Sequence, residues 1–113
     1  MILNLYWKDI ENNAYCIAKL EKNEEKYILT INEVELKKAI IKGCMGIGSF
    51  NFLKSKYESK ELFSFFKNRI PNENNPRILN ILKEYGLEEY DEMKLLKVTK
   101  GKIQTDRYYL MEE

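Results

Sequence analysis

The sequence predicts an α+β fold: a small antiparallel sheet, made of an N-terminal three-stranded meander plus a C-terminal strand, with about four short helices packed on one side. Three observations carry this prediction. The N-terminal part alternates apolar and polar residues with the period of a strand. The middle repeats its apolar residues with the period of a helix. The end of the chain returns to a strand-like run, "KIQTDRYYLM". Strands, then helices, then a strand imply helices laid on one sheet.

Composition bounds the rest. The chain has 113 residues, the size of one domain over 1–113 with a modest core that needs no staples. Nineteen lysines and arginines against 18 acidic residues leave a net charge of +1. That balance gives no overall pull toward nucleic acid or membrane, although a local basic patch remains open. No apolar run approaches the roughly 18 residues of a membrane span. The opening "MILNLYW" has neither a basic flank nor a cleavage site, so no signal peptide is expected and the cytoplasm is the expected compartment. Cys16 and Cys44 could pair, but without a secretion signal two buried free thiols are expected. Histidine is absent, which excludes His-based acid–base catalysis, Ser-His-Asp and Cys-His nucleophiles, and His-containing zinc sites.

The first strand is "ILNLYW", with Leu3, Leu5 and Trp7 on one face. "AYCIAKL" and "KYILTI" follow, the latter with Tyr27, Leu29 and Ile31 on one face, and polar "KDIENN" and "EKNEE" connect the three over residues 2 to 31. Asn32 then caps a helix, with Glu35 three residues on and Ile31 and Leu36 placed as a hydrophobic staple. Leu36, Ala39 and Ile40 form its buried stripe, and Gly43 ends it. "GCMGIGSFNF" has three glycines but neither the Gly-Lys-Ser/Thr nor the preceding strand of a phosphate loop. It reads as a tight connection with Phe50 and Phe52 turned into the core.

Three short helices follow. Ser59 caps the first, whose apolar face is Leu62, Phe65, Phe66 and Ile70, and Pro71 closes it. Asn75 caps the second with Pro76 at its first position. Its stripe is Ile78, Ile81, Leu82 and Tyr85, and Gly86 ends it. Asp91 caps the third, Tyr90 and Leu95 can staple it, Leu95, Leu96 and Val98 pack inward, and Gly101 marks its end.

Three groups of residues are candidates for a site. Adjacent Tyr108 and Tyr109 must face opposite sides of the last strand, one toward the core. Lys97, Lys100, Lys102 and Arg107 gather nearby, either as phosphate contacts beside stacking tyrosines or as a solvated face, which the balanced charge favours. Carboxylates Glu21, Glu24, Glu25, Glu88, Glu89, Asp91 and Glu92 sit in polar turns, lacking the burial that a catalytic pair needs. No catalytic, cofactor or metal residue is therefore assigned, and no enzyme is expected. In "RIPNENNPR" the prolines and Asn75 punctuate two helices, whereas Arg69 and Arg77 are required by no turn. Either they clamp the segment through carboxylates or carbonyls, or they meet a partner.

Within residues 60 to 106, "ELFSFFKNRIP", "NPRILNILKEYGL" and "DEMKLLKVTKGKIQTD" occur in this order. The succession resembles the N-terminal subdomain of HipA-type proteins, the kinase toxins of toxin–antitoxin systems, and its small split relatives. Arg69 and Pro71 match that family's Arg-Leu-Pro element. Pro76 and Arg77 match its Arg-Pro element in reversed order. Tyr85, Gly86 and Leu87 match its helix end, and Gly101, Lys102, Thr105 and Asp106 its Gly-Gly-Arg…Thr-Asp close. The hairpin "YCIAKLEKNEEKYILTIN" is similar as well. Lys100 stands where the family has glycine and Lys102 where it has arginine, the phenylalanine-proline expected near Phe50 is absent, and no kinase domain follows, as in a stand-alone version or a fragment. The resemblance implies a non-enzymatic, antitoxin-like or accessory regulator that docks on a HipA-like kinase. The candidate contacts are Arg69, Arg77, Lys100, Lys102, Arg107 and Tyr108. Two other readings stay open. One is a small phage or mobile-element inhibitor of a host defence nuclease, of the anti-CRISPR type. The other is a nucleic-acid-binding module built on the basic C-terminal cluster.

Overall fold

The computed structural model describes residues 1–48, 50 and 54–113. The elements run β1 (Ile2–Lys8), β2 (Ala14–Lys22), β3 (Tyr27–Ile31), α1 (Glu33–Ile41), β4 (Lys56–Ser59), α2 (Ser64–Lys67), α3 (Ile78–Glu84), α4 (Glu92–Thr99) and β5 (Tyr108–Glu112). The sheet is antiparallel throughout, in the order β4-β3-β2-β1-β5. The class is α+β as expected, and the N-terminal meander and the closing strand are both present. None of the helices among the described residues is long and apolar enough to cross a membrane.

Strand alternation sorts the sheet into two faces. Leu3, Leu5, Trp7, Leu20, Tyr27, Leu29, Ile31, Tyr108 and Leu110 are buried under the helices. They meet Leu36 and Ala39 of α1, Phe66 of α2, Leu82 of α3, and Met93, Leu95 and Leu96 of α4 in one cluster. The opposite face carries Asn4, Tyr6, Lys8, Cys16 and Tyr109, all only half-buried. A bulge in β2 follows from the register, which passes from Leu5↔Ala18 to Tyr6↔Cys16 and leaves Ile17 unopposed. Ile17 and Ala18 are therefore both buried, and Cys16 turns to the open face.

Local caps behave as the sequence implies at two helices. Asn32 Oδ1 accepts the Glu35 N–H at 3.1 Å, and Asp91 Oδ1 accepts that of Lys94 at 3.1 Å. The region between α1 and α3 departs from expectation. Ser59 belongs to strand β4, and its hydroxyl accepts the Glu61 N–H instead of capping a helix. β4 pairs through Tyr57↔Leu29, so β3 gains a second neighbour, and Tyr57 packs on Phe50 with ring centroids 4.5 Å apart. The helix expected from Ser59 shrinks to the four residues of α2. α3 begins at Ile78, after a turn in which Asn75 Oδ1 accepts the Arg77 N–H, so Asn75 and Pro76 precede the helix instead of opening it. Ile40, Tyr85 and Val98, expected inside, are exposed, because Leu36, Ala39, Leu82, Leu95 and Leu96 already fill those contacts. The last strand begins only at Tyr108, and residues 102 to 107 are a connection. The expectation for Phe52 lies outside the described residues.

The β1–β2 turn is built around a buried carboxylate. Asp9 is 1% exposed. Its Oδ1 accepts the N–H groups of Glu11 and Asn13, and its Oδ2 accepts the Asn13 side chain and the Tyr15 hydroxyl. Burial pushes this carboxyl up, but the hydrogen bonds from Asn13, Tyr15 and Glu11 outweigh it and hold the group below its ordinary value. A lowered folded-state value means stability that is complete above the unfolded-state value of about 3.9 and is lost as pH falls through the folded one. The stability difference between the wild type and Asp9→Asn should therefore be largest near neutrality and shrink below about pH 4, read by urea unfolding at successive pH values.

Two glycines provide an internal comparison. Gly86 (φ +71) and Gly101 (φ +58) both hold left-handed backbone. A Cβ on Gly86 would meet nothing within 4 Å, whereas one on Gly101 would lie 2.9 Å from Leu110 Cδ1 in the core. Gly86→Ala should cost about 1 kcal/mol and Gly101→Ala about 2 kcal/mol or more. Equal losses in denaturant titrations would show that Leu110 moves aside freely.

Candidate functional site

The guanidinium of Arg69, just beyond α2, is buried among the helices. Its side chain is 5% exposed and forms a two-pronged pair with Asp106, Nη1 to Oδ1 at 3.2 Å and Nη2 to Oδ2 at 2.5 Å. Nη1 also donates to the Gly101 carbonyl at 3.0 Å. The cation lies 4.4 Å from the Phe65 ring centre and 4.9 Å from that of Tyr108, so aromatic faces replace part of its hydration. Asp106 further accepts the Tyr108 N–H at 3.2 Å. Arg69 thus forms one unit with the distant Gly101, Asp106 and Tyr108, joining α2, the end of α4 and the start of β5.

Tyr108 continues this unit inward. Its hydroxyl donates to the Gly46 carbonyl and lies 3.5 Å from Cys44 Sγ. Burial first, then the Cys44 contact, pushes the phenol well above its ordinary value. Cys44 is a buried free thiol as expected, while Cys16 is free and half-buried on the open face. Arg107, next in the chain to Asp106, is anchored on the β1–β2 turn: Nε donates to the Lys8 carbonyl at 2.8 Å, and Nη2 to the Asp9 carbonyl at 2.7 Å and to Asn12 Oδ1 at 3.1 Å.

The six residues proposed from the sequence therefore separate. Arg69 and Tyr108 are buried and touch each other, so neither presents a charged or aromatic head to a partner. Arg69 is a clamp, although it holds the approach to β5 and not the "RIPNENNPR" turn. Arg77 is exposed, and its side chain bonds to no other described residue. Lys100, in left-handed backbone at φ 60, is also exposed. Lys102 and Arg107 share a recess of about 240 Å³ with Lys8, Ile103, Asp106, Tyr108 and Tyr109. Lys97 belongs elsewhere, paired with Glu112 at 2.9 Å.

Sequence reasoning missed Lys8 and Tyr6. Tyr6 stands opposite Tyr109 across β1 and β5, and the rings stack at 5.2 Å and 13°. Lys8 Nζ lies 5.3 Å and Lys102 Nζ 5.7 Å from the Tyr109 ring centre. The signal was available, because Tyr6 and Lys8 are the off-beat residues of the alternation that buries Leu5 and Trp7. Only the β1–β5 pairing, however, shows that Tyr109 joins them.

A second groove, about 490 Å³, runs between β3 and the helices, lined among others by Lys22, Lys60, Lys67, Glu61, Glu73 and Glu92. Its mixed charge selects neither sign of ligand. Tyr27 donates to Glu92 there at 2.8 Å, which with burial raises the phenol. Among the described residues no three Cys, Asp or Glu side chains converge as metal ligands. The exposed side of α1 and the turn after it carries Val34, Ile41 and Met45 at 65, 82 and 92% exposure, with the exposed Lys37 and Lys38 between the first two.

Comparison with protein-family models, curated proteins and solved structures finds no match to this chain.

The clamp carries a stability prediction. Arg69→Met leaves Asp106 without its cation in a largely dry site, and the variant should lose about 3 kcal/mol. Arg69→Lys should recover little of this, because one ammonium cannot serve both carboxylate oxygens and the Gly101 carbonyl with the same geometry. Chemical unfolding of the three proteins decides it; a full recovery by lysine would mean that charge alone matters.

Proposed function

We propose that this chain is a docking regulator without chemistry of its own, antitoxin-like or accessory, that binds a HipA-like kinase in the cytoplasm. One observation carries the reading. Three of the residues on which the family resemblance rests meet in one buried unit, where Arg69 donates to Gly101 and Asp106, 32 and 37 residues further along the chain. Residues that serve one clamp are of the kind that a shared subdomain would keep together, and this supports the reading. Support for docking comes from α1, where Val34 and Ile41 stand two turns apart on one side, continued by Met45. Large apolar side chains left in water at helical spacing are what a partner's groove would cover. Arg77 and Lys100 remain the charged candidates for the rim of such a contact.

The test is co-expression with a HipA-like kinase that lacks this subdomain and is encoded beside this chain. A stable complex on gel filtration and reduced kinase activity are the expected results. Ile41→Glu should weaken the complex at least about 10-fold while the circular dichroism spectrum stays unchanged, since buried apolar anchors dominate such contacts. Failure of the unsubstituted protein to co-elute with or inhibit the kinase would overturn the reading.

A further inference from the structure

The open face of the sheet and its rim carry three cations that no carboxylate among the described residues pairs. Lys19 and Lys26 on the same sheet region are ion-paired, to Glu113 and Glu58. Lys8 and Lys102 form no ion pair among the described residues, and their ammonium groups rest against the Tyr6–Tyr109 stack. The charges beside them are already accounted for. Asp106 is neutralised by Arg69, and Asp9 is filled by four donors. Arg107 bonds only to two carbonyls and an amide oxygen, so its positive charge is not cancelled by a carboxylate. Three cations therefore border one recess next to a two-ring aromatic column.

We propose that this patch binds single-stranded nucleic acid, with the Tyr6–Tyr109 column as the stacking platform for a base and Lys8, Lys102 and Arg107 as contacts to its phosphates. Stacking needs a flat ring that is not covered by its own pairing partner, which a single strand offers and a duplex withholds. Uncompensated cations need phosphates at backbone spacing, which flank every base. An acidic peptide would answer the lysines but leave the parallel ring stack unused. The chain's overall balance of charge does not oppose this, because acidic residues elsewhere are spent in pairs with Lys19, Lys26 and Lys97. The site is independent of the apolar side of α1 and does not rest on a kinase partner.

Fluorescence anisotropy of labelled oligo-dT and oligo-U of about 12 nucleotides, with duplex and a Glu-rich peptide as competitors, tests the proposal. Binding to a single strand should weaken about 18-fold between about 50 and 200 mM salt, the dependence expected for three phosphate contacts. The double variant Lys8→Glu, Lys102→Glu, altered at surface positions, should bind at least about 10-fold more weakly with an unchanged circular dichroism spectrum. Tyr109→Leu should weaken binding by a similar factor; if it unfolds, the lysine variant alone decides. Preference for DNA or for RNA names the source of the strand, and either supports the site. Absence of binding at the lower salt, unchanged affinity of the lysine variant, or tighter binding of the Glu-rich peptide overturns it.

Discussion

The arrangement of the C-terminal half depends on one buried cation. Arg69 lies inside the helix layer, and the groups that satisfy it come from the segment that follows α4: the Gly101 carbonyl and both oxygens of Asp106. Asp106 in turn receives the first N–H of β5. The connection over residues 102 to 107 is neither helix nor strand, and this pair helps to fix where β5 begins. A shift of one residue there would exchange Tyr108 with Tyr109 and turn the phenol that now reaches Gly46 out to the open face. Gly101 is part of the same constraint, because its backbone must curl left-handed while Leu110 packs directly above it.

At the same end of the sheet, beyond β1, a second buried charge performs a related task. Asp9 gathers four donors from residues 11 to 15 and thereby shapes a turn that contains no Asn-Gly pair. Arg107 then spans from β5 to the carbonyls of Lys8 and Asp9. The two charged centres stand at either end of the stretch 106–107, one beneath the sheet among the helices and one at its rim. Together they hold the edge strand against β1 by side chains as well as by the ladder.

What could be read from the sequence follows the range of the interactions involved. Alternation in β1 and β3 and the caps Asn32 and Asp91 act over a few residues, and each was legible. β4 was not, because "KYES" becomes a strand only by pairing with Leu29 and neighbouring residues and by meeting Phe50. Ser59 looked like a cap for the same reason: the local pattern of a hydroxyl before an apolar run is ambiguous until the strand partner is known. Arg69 stood out as a charge on an apolar stripe, yet its partner Asp106 lies 37 residues away and no local rule points to it. The candidate site was legible by halves. Lys102, Arg107 and the division of Tyr108 from Tyr109 came from the C-terminal run, whereas Tyr6 and Lys8 needed the β1–β5 register.

The strand order also has a temporal side. β1 and β2 are neighbours in the chain and can pair as soon as both exist, but the other edge of β1 is covered only by β5. During synthesis that edge, with Leu3 and Leu5 beside it, stays open until β5 has emerged. An open strand edge next to apolar side chains invites pairing with another chain. β5 is therefore the strand that closes β1, and the nascent chain is most exposed to self-association between the pairing of β1 with β2 and the arrival of β5.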